Sequence, residues 1–323
     1  MSRKLAGSAV VVAVLAVLAV LVMVVVLRGS SAPDANPFAR ARPLVDPQSA
    51  AAAAAASADG ADQAVLARIA DVPTAVWLVP EALDRGQVAD RVTSLAQRAR
   101  AERRVAVVVV YGIPQRDCSG QESAGGLDAD GYQAWVQAIA EAGEGVVAVL
   151  EPDALATADE CGLADQRTAL LREAAKTLDE HGIWTYVDAG HSHWVEPRRM
   201  AQLIEAVGAE HLRGFATNVA GYETDADELA YARAVRAEVP SLHYVIDSGR
   251  NGVGPGAPGD FCNPPGRALG RQPATGTGGL DARLWIKPPG ESDGACNGGP
   301  DAGQFWVEGA LSLAAAAGWS ETQ

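Results

Sequence analysis

Residues Gly145–Ala156 read GVVAVLEPDALA. The apolar run Val146–Leu150 ends abruptly in Glu151-Pro152-Asp153. A short unbroken apolar run bounded by Gly and Pro reads as a strand buried on both faces. Pro152 cannot donate to a strand ladder, so the strand stops there. Asp153 therefore sits at the carboxyl end of a buried strand, the edge where parallel α/β folds place their chemistry.

The same rhythm extends outward in both directions. Apolar runs recur at Thr74–Leu78, Val105–Tyr111, Trp184–Val187, Gly214–Val219, His243–Ile246 and Arg283–Ile286. Segments with apolar residues three and four apart lie between most of them: Val88–Arg103, Tyr132–Ala142, Leu170–His181, Met200–Val207 and Leu229–Val239. Strand alternating with helix implies parallel strands joined by crossovers. About seven such strands suit a (β/α) barrel or an open doubly wound sheet. The barrel is preferred because polar residues follow nearly every strand, as a single lined rim requires. They include Tyr111, Asp117, Asp153, Asp188, His191, Trp194, Asn218, Asp247, Lys287, Glu291 and Asp293.

The 323 residues carry a formal charge of −14, which argues against nucleic acid or an anionic membrane surface as partner. Residues 1–28 read as a membrane anchor or signal segment. A basic start is followed by the uncharged stretch Ser8–Leu27, long enough to span a bilayer, and a retained anchor is preferred over a cleaved signal. Either way the bulk of the chain is expected outside the cell or on the outer membrane face. Residues 29–35 read as a linker and 36–323 as one α/β domain. The Ala-rich run Ser49–Ala58 suits a helix or a spacer. Four cysteines fit an oxidising compartment and allow three pairings. Their places after the strands favour Cys118 with Cys161 and Cys262 with Cys296.

No Gly-rich phosphate loop and no Gly-x-Ser-x-Gly elbow follows a strand, so nucleotide and serine-hydrolase chemistry have no signature. His191-Ser192-His193 lacks the spacing of a zinc helix, and neither metal nor cofactor is expected. Several carboxylates beside Trp, Tyr, Lys and His suit glycoside hydrolysis. One acid protonates the leaving oxygen, another assists water, and indole faces stack on sugar rings.

Five blocks, in order, sharpen this. They are Tyr111-Gly-Ile-Pro-Gln-Arg-Asp-Cys118 with Ala124-Gly125-Gly126, Val149-Leu-Glu-Pro-Asp-Ala-Leu-Ala156, Tyr186-Val-Asp-Ala-Gly-His191, Asn263-Pro-Pro-Gly-Arg-Ala-Leu-Gly270, and Lys287-Pro-Pro-Gly-Glu-Ser-Asp-Gly294. Together they resemble the signatures of glycoside hydrolase family 6, the family of endoglucanases and cellobiohydrolases, and most of all an actinobacterial endoglucanase. The resemblance runs from about Asn36 to the C-terminus. It implies a distorted parallel β/α barrel and inverting hydrolysis of β-1,4-glucosidic bonds. By that resemblance Asp153 is the general acid, Asp117 the neighbouring carboxylate that holds its proton, and Asp293 a candidate base. Tyr111 presses on the sugar at the cleavage point, and Ser123 helps to position water. Trp77 and Trp194 are stacking platforms. His191, Asn218, Lys287 and Glu291 contact substrate, and Asp188 has an electrostatic or substrate-binding role. Phe261 stands where members commonly carry Trp, which weakens one sugar subsite.

Moderate loops at Ser119–Asp130 and Ser248–Asp281 imply an open cleft and endo action, acting as a monomer on a β-1,4-glucan. No separate cellulose-binding module is expected. The alternatives are an exo-acting cellobiohydrolase and a glucan-binding protein without catalysis.

Overall fold

A computed structural model describes residues 35–118, 124–257 and 259–319. The predicted membrane segment at Ser8–Leu27, the linker at residues 29–34 and the candidate Ser123 lie outside these residues. Among the described residues no helix is long and apolar enough to cross a membrane.

Two helices precede the sheet, α1 (Ala50–Ser57) and α2 (Gly60–Ala70). The Ala-rich run is thus a helix, started by Ser49, whose hydroxyl accepts from the Ala52 amide. Strand and helix then alternate: β1 (Val76–Leu78), α3 (Arg85–Glu102), β2 (Val107–Val110), α4 (Ala129–Ala142), β3 (Val147–Leu150), α5 (Ala164–Glu180) and β4 (Trp184–Asp188). The order continues with α6 (Pro197–Val207), β5 (Gly214–Thr217), α7 (Asp225–Glu238), β6 (His243–Asp247), β7 (Ala274–Thr275), β8 (Leu280–Leu284) and α8 (Val307–Ala316). Local chemistry sets the helix starts. Asp84 and Gln87 cap α3 reciprocally, Asp128 caps α4, Thr224 caps α7, and Pro197 opens α6.

The sheet has eight strands in the order β1-β2-β3-β4-β5-β6-β8-β7. Its neighbours pair in parallel except for the β7–β8 pair. The seven expected strands are present, and the eighth is the two-residue antiparallel β7. That piece is too short to leave a period in the sequence. The last parallel strand is Leu280–Leu284 and not Arg283–Ile286. Asp281 hid its start, because a carboxylate inside a strand breaks the apolar run unless a partner is buried with it. The sheet curls until its ends meet at one level, where Thr74 bridges Trp285 and the Ala75 amide donates to the Trp285 carbonyl at 2.9 Å.

Successive strand residues serve different cores. Val107, Val109, Val147 and Val149 fill the concave interior with Tyr186 and Ile286. Val108, Val110, Ala148 and Leu150 face outward under helix residues such as Val92, Trp135 and Leu171. A third cluster packs α1, α2 and α8 around Trp285.

Candidate active site

The site begins where β3 ends. Glu151 (φ 49°) and Asp153 (φ 68°) both take left-handed backbone conformations, which non-glycine residues hold only when the surroundings enforce them. Glu151 is fully buried, and its carboxylate accepts from the Gly112 amide at 2.9 Å and the Ile113 amide at 3.1 Å. It stitches the β2 loop to the β3 loop and so places the chain that follows Tyr111. Burial pushes its pKa up to about 7, against the opposing pull of those amides.

Asp153 is held from both sides. Its amide donates to Asp188 Oδ2 at 2.9 Å, and its carbonyl accepts from the Thr157 hydroxyl at 2.8 Å. Its carboxyl is raised to about 7 by burial, then by the negative charges of Asp117 and Asp293, while Arg167 and Lys287 pull the other way. Asp117, Asp293 and Lys287 therefore act on Asp153 electrostatically, although the four come from three separate loops.

Asp293 is pinned by the Arg250 guanidinium at 2.9 Å, the Tyr222 hydroxyl at 3.0 Å and the Asn263 amide at 3.0 Å. Lys287 is set by Asp247, whose buried carboxylate accepts from the amides of Lys287, Gly249, Ala220 and Ile286. Lys287 Nζ lies 3.9 Å from Glu291 and 5.0 Å from the centre of the Trp77 ring. Burial raises the Glu291 carboxyl above the usual range. Trp77 meets Tyr111 edge-on at 5.1 Å and donates its indole N–H to the Ile286 carbonyl. Arg116 stacks over the other side chain of this group, 4.3 Å from the Tyr111 ring centre. A recess of about 150 Å³ runs from Trp77 and Glu291 away from the acids, toward the segment before the sheet, where Asp46, Gln48, Ile69 and Arg91 line it.

Further along the rim, His191 tilts against Trp194 at 5.2 Å, and Trp194 is 40% exposed, free to offer an indole face. Glu223 lies 2.9 Å from His193 Nδ1 and 3.8 Å from His191 Nδ1. Burial lowers the His191 pKa, against the opposing pull of the Glu223 charge. Phe261 is exposed at the edge of the β6–β7 loop, and Cys118–Cys161 and Cys262–Cys296 are disulfide-bonded. Among the described residues no cluster of His, Cys, Asp and Glu could hold a metal ion.

Two expected substrate contacts are buried in the structure. Asp188 is completely buried and spends Oδ2 on the amides of Asp153 and Gly190. Asn218 is also completely buried, bonded to the backbone of Glu223 and Asp247. Both are spent on holding the rim backbone, and the Asp188 charge acts on Asp153. Asp188 is the last residue of β4 and Asn218 follows β5 directly, so both side chains lie within the packed end of the sheet. Residues not singled out beforehand are Arg167, Tyr222 and Glu228. Each lies in or beside a helix, where one polar residue among many carries no distinguishing pattern.

Glu228 makes a testable case. Its buried carboxyl accepts from the Ser192 amide at 2.8 Å, and burial pushes its pKa from 4.5 to about 7. The folded chain holds this proton more tightly than the unfolded chain. The associated stability is complete below the unfolded value and is lost as pH rises through about 7. The loss amounts to roughly 3 kcal/mol at most. Glu228→Gln is expected to flatten the fall in Tm between acidic and mildly alkaline buffer. A wild-type Tm as high in alkali as in acid, matched by the variant, would remove this role.

An α/β barrel with a carboxylate-lined rim at the carboxyl ends of its strands, one acid of which keeps its proton to neutral pH, has the site of an acid-base hydrolase. The chain belongs to glycosyl hydrolases family 6, whose family model matches residues 38–317. It is 42% identical over 278 residues to Endoglucanase A of Cellulomonas fimi, covering 85% of this chain and 61% of that protein. It therefore spans less than two thirds of that relative. Endoglucanase 1 of Streptomyces halstedii is 35% identical, with 83% of this chain and 87% of that protein covered. The structure of the endoglucanase Cel6 from Mycobacterium tuberculosis, in complex with methyl-cellobiosyl-4-deoxy-4-thio-β-D-cellobioside, superposes with a TM-score of 0.82. It shares 41% identity, with 88% of this chain and all of that chain covered.

Proposed function

We propose that this chain cleaves β-1,4-glucosidic bonds within cellulose or a related β-glucan, with inversion at the anomeric carbon. The observation that carries the reading is the Asp153 carboxyl. It is lodged at the head of the cleft and kept protonated to about pH 7 by burial and by the charges of Asp117 and Asp293. Asp153 gives this proton to the leaving glycosidic oxygen, while water attacks the anomeric carbon from the opposite face. Asp117 supplies the charge that keeps Asp153 protonated, and Ser123 positions the water. Asp293 is a weak candidate for the base, since three donors already satisfy its carboxylate. Tyr111, buttressed by Trp77 and Arg116, presses the sugar toward a distorted ring. Trp77 and Trp194 stack on sugar faces, and His191, Lys287 and Glu291 bond hydroxyls.

The named relatives support endo action, and the disulfides support an exported protein. Residues 8–27 are proposed to anchor it to the outer face of the membrane. The test follows new reducing ends and viscosity together on a soluble β-1,4-glucan. Endo action predicts a steep viscosity drop early in the reaction. Reducing ends accumulating at nearly constant viscosity would assign exo action instead, and no new ends from folded protein would leave only binding.

A further inference from the structure

We propose that Arg167 is a positioning residue: its buried guanidinium ties the loop that carries Asp117 to the loop that carries Asp153 and so sets where the two acids meet. The proposal rests on the reading of Asp153 as general acid.

Arg167 lies near the start of α5 and is only 1% exposed. A fully buried arginine normally sits against a carboxylate. This one spends its hydrogen bonds on loop acceptors. Nη1 donates to the Ala154 carbonyl at 2.8 Å and the Thr157 hydroxyl at 2.5 Å, and Nη2 donates to the Gln115 carbonyl at 3.0 Å. Those acceptors flank the two acids. Gln115 (φ 53°) and Asp117 (φ 49°) are left-handed on one loop, and Asp153 (φ 68°) on the other. Thr157 passes the restraint on, because its hydroxyl accepts from Arg167 and donates to the Asp153 carbonyl. A planar fork reaches three acceptors at once, which an ammonium on a flexible stem does not. The Cys118–Cys161 disulfide joins the same two loops. The guanidinium charge also acts on Asp153, Glu151 and Asp117 together, restraining the rise in proton affinity that Asp117 imposes on Asp153.

Clamp and charge separate by substitution. Arg167→Met removes both, Arg167→Lys keeps the charge, and Thr157→Val removes one anchor. Each is assayed against Asp153→Asn on soluble β-1,4-glucan and on 2,4-dinitrophenyl β-cellobioside, whose leaving group departs without a proton. Arg167→Met is expected to lower kcat on glucan by about 30-fold with little change in KM, the scale of a small misplacement of a reacting group. Its loss on the dinitrophenyl substrate is roughly tenfold smaller, because proton donation is no longer needed there. The alkaline limb of its kcat profile moves up by about one pH unit. Arg167→Lys keeps the limb in place but shares the glucan loss, and Thr157→Val shows a smaller loss of the same selectivity.

Equal losses on both substrates with an unmoved limb, in folded Arg167→Met, would overturn the proposal. Should that variant not fold, the same substrate ratio in Arg167→Lys and Thr157→Val decides. Asp153→Asn losing equally on both substrates would instead overturn the reading of Asp153 itself.

Discussion

Asp153→Asn is expected to lower kcat on soluble β-1,4-glucan by about 10³-fold, with cello-oligosaccharide affinity held within about threefold. The rate effect corresponds to about 4 kcal/mol of barrier. The substitution keeps the size of the side chain and leaves the Asp153 amide bond to Asp188 in place, so the cleft is preserved while the transferable proton is removed. The wild-type pH profile follows from the same group. Its carboxyl is raised to about 7, so the active, protonated form falls away above that pH, tenfold per unit once well past it. Calorimetric binding beside steady-state rates checks both halves. Retained turnover in the variant, or lost binding with unchanged turnover per bound chain, would assign the acid elsewhere.

A second large effect lies at the opposite end of the barrel. Arg213→Met is expected to destabilise the fold by about 3–5 kcal/mol, read as a lower denaturant midpoint. Arg213 and Asp281 are 4% and 2% exposed and form a two-point ion pair at 2.9 and 3.0 Å. Tyr186 donates to the same carboxylate at 2.6 Å, and His243 Nδ1 lies 3.3 Å away. The network therefore links β4, β6 and β8 with the start of β5 across the interior. Deleting the guanidinium removes a two-point, fully charged partner from a buried carboxylate. Replacing both partners by apolar residues is expected to recover much of the loss, since the penalty belongs to the buried charge that has lost its counter-charge and not to the missing pair. A single-variant shift under about 1 kcal/mol would show that water reaches Asp281 and solvates it.

These two sites differ in how far they can be read from residue order. Asp153 announces itself, because a run of apolar residues stops at a proline and the acids follow at once. The same logic placed Tyr111, Asp117, Lys287 and Asp293 at strand ends, and the alternation of apolar runs with helical spacing implied parallel strands and a barrel. Those inferences hold because burial on both faces and the 3.6-residue period are local properties of the chain.

What residue order left open depends on partners distant in sequence. Asp188 and Asn218 stand at strand ends like the others, yet both are completely buried, which only the twist and register of the curled sheet decide. Residue order puts Asp281 at the end of a loop, and it enters a strand because Arg213, 68 positions away, supplies its counter-charge. Arg167 carries no signal in residue order, and its place is decided by the Gln115 and Ala154 carbonyls, which converge on it from separate loops. Composition and periodicity determine which residues must be buried and which strand ends carry acids. The pKa of each acid and the reach of each charge depend on through-space distances, and those exist only once the barrel has closed.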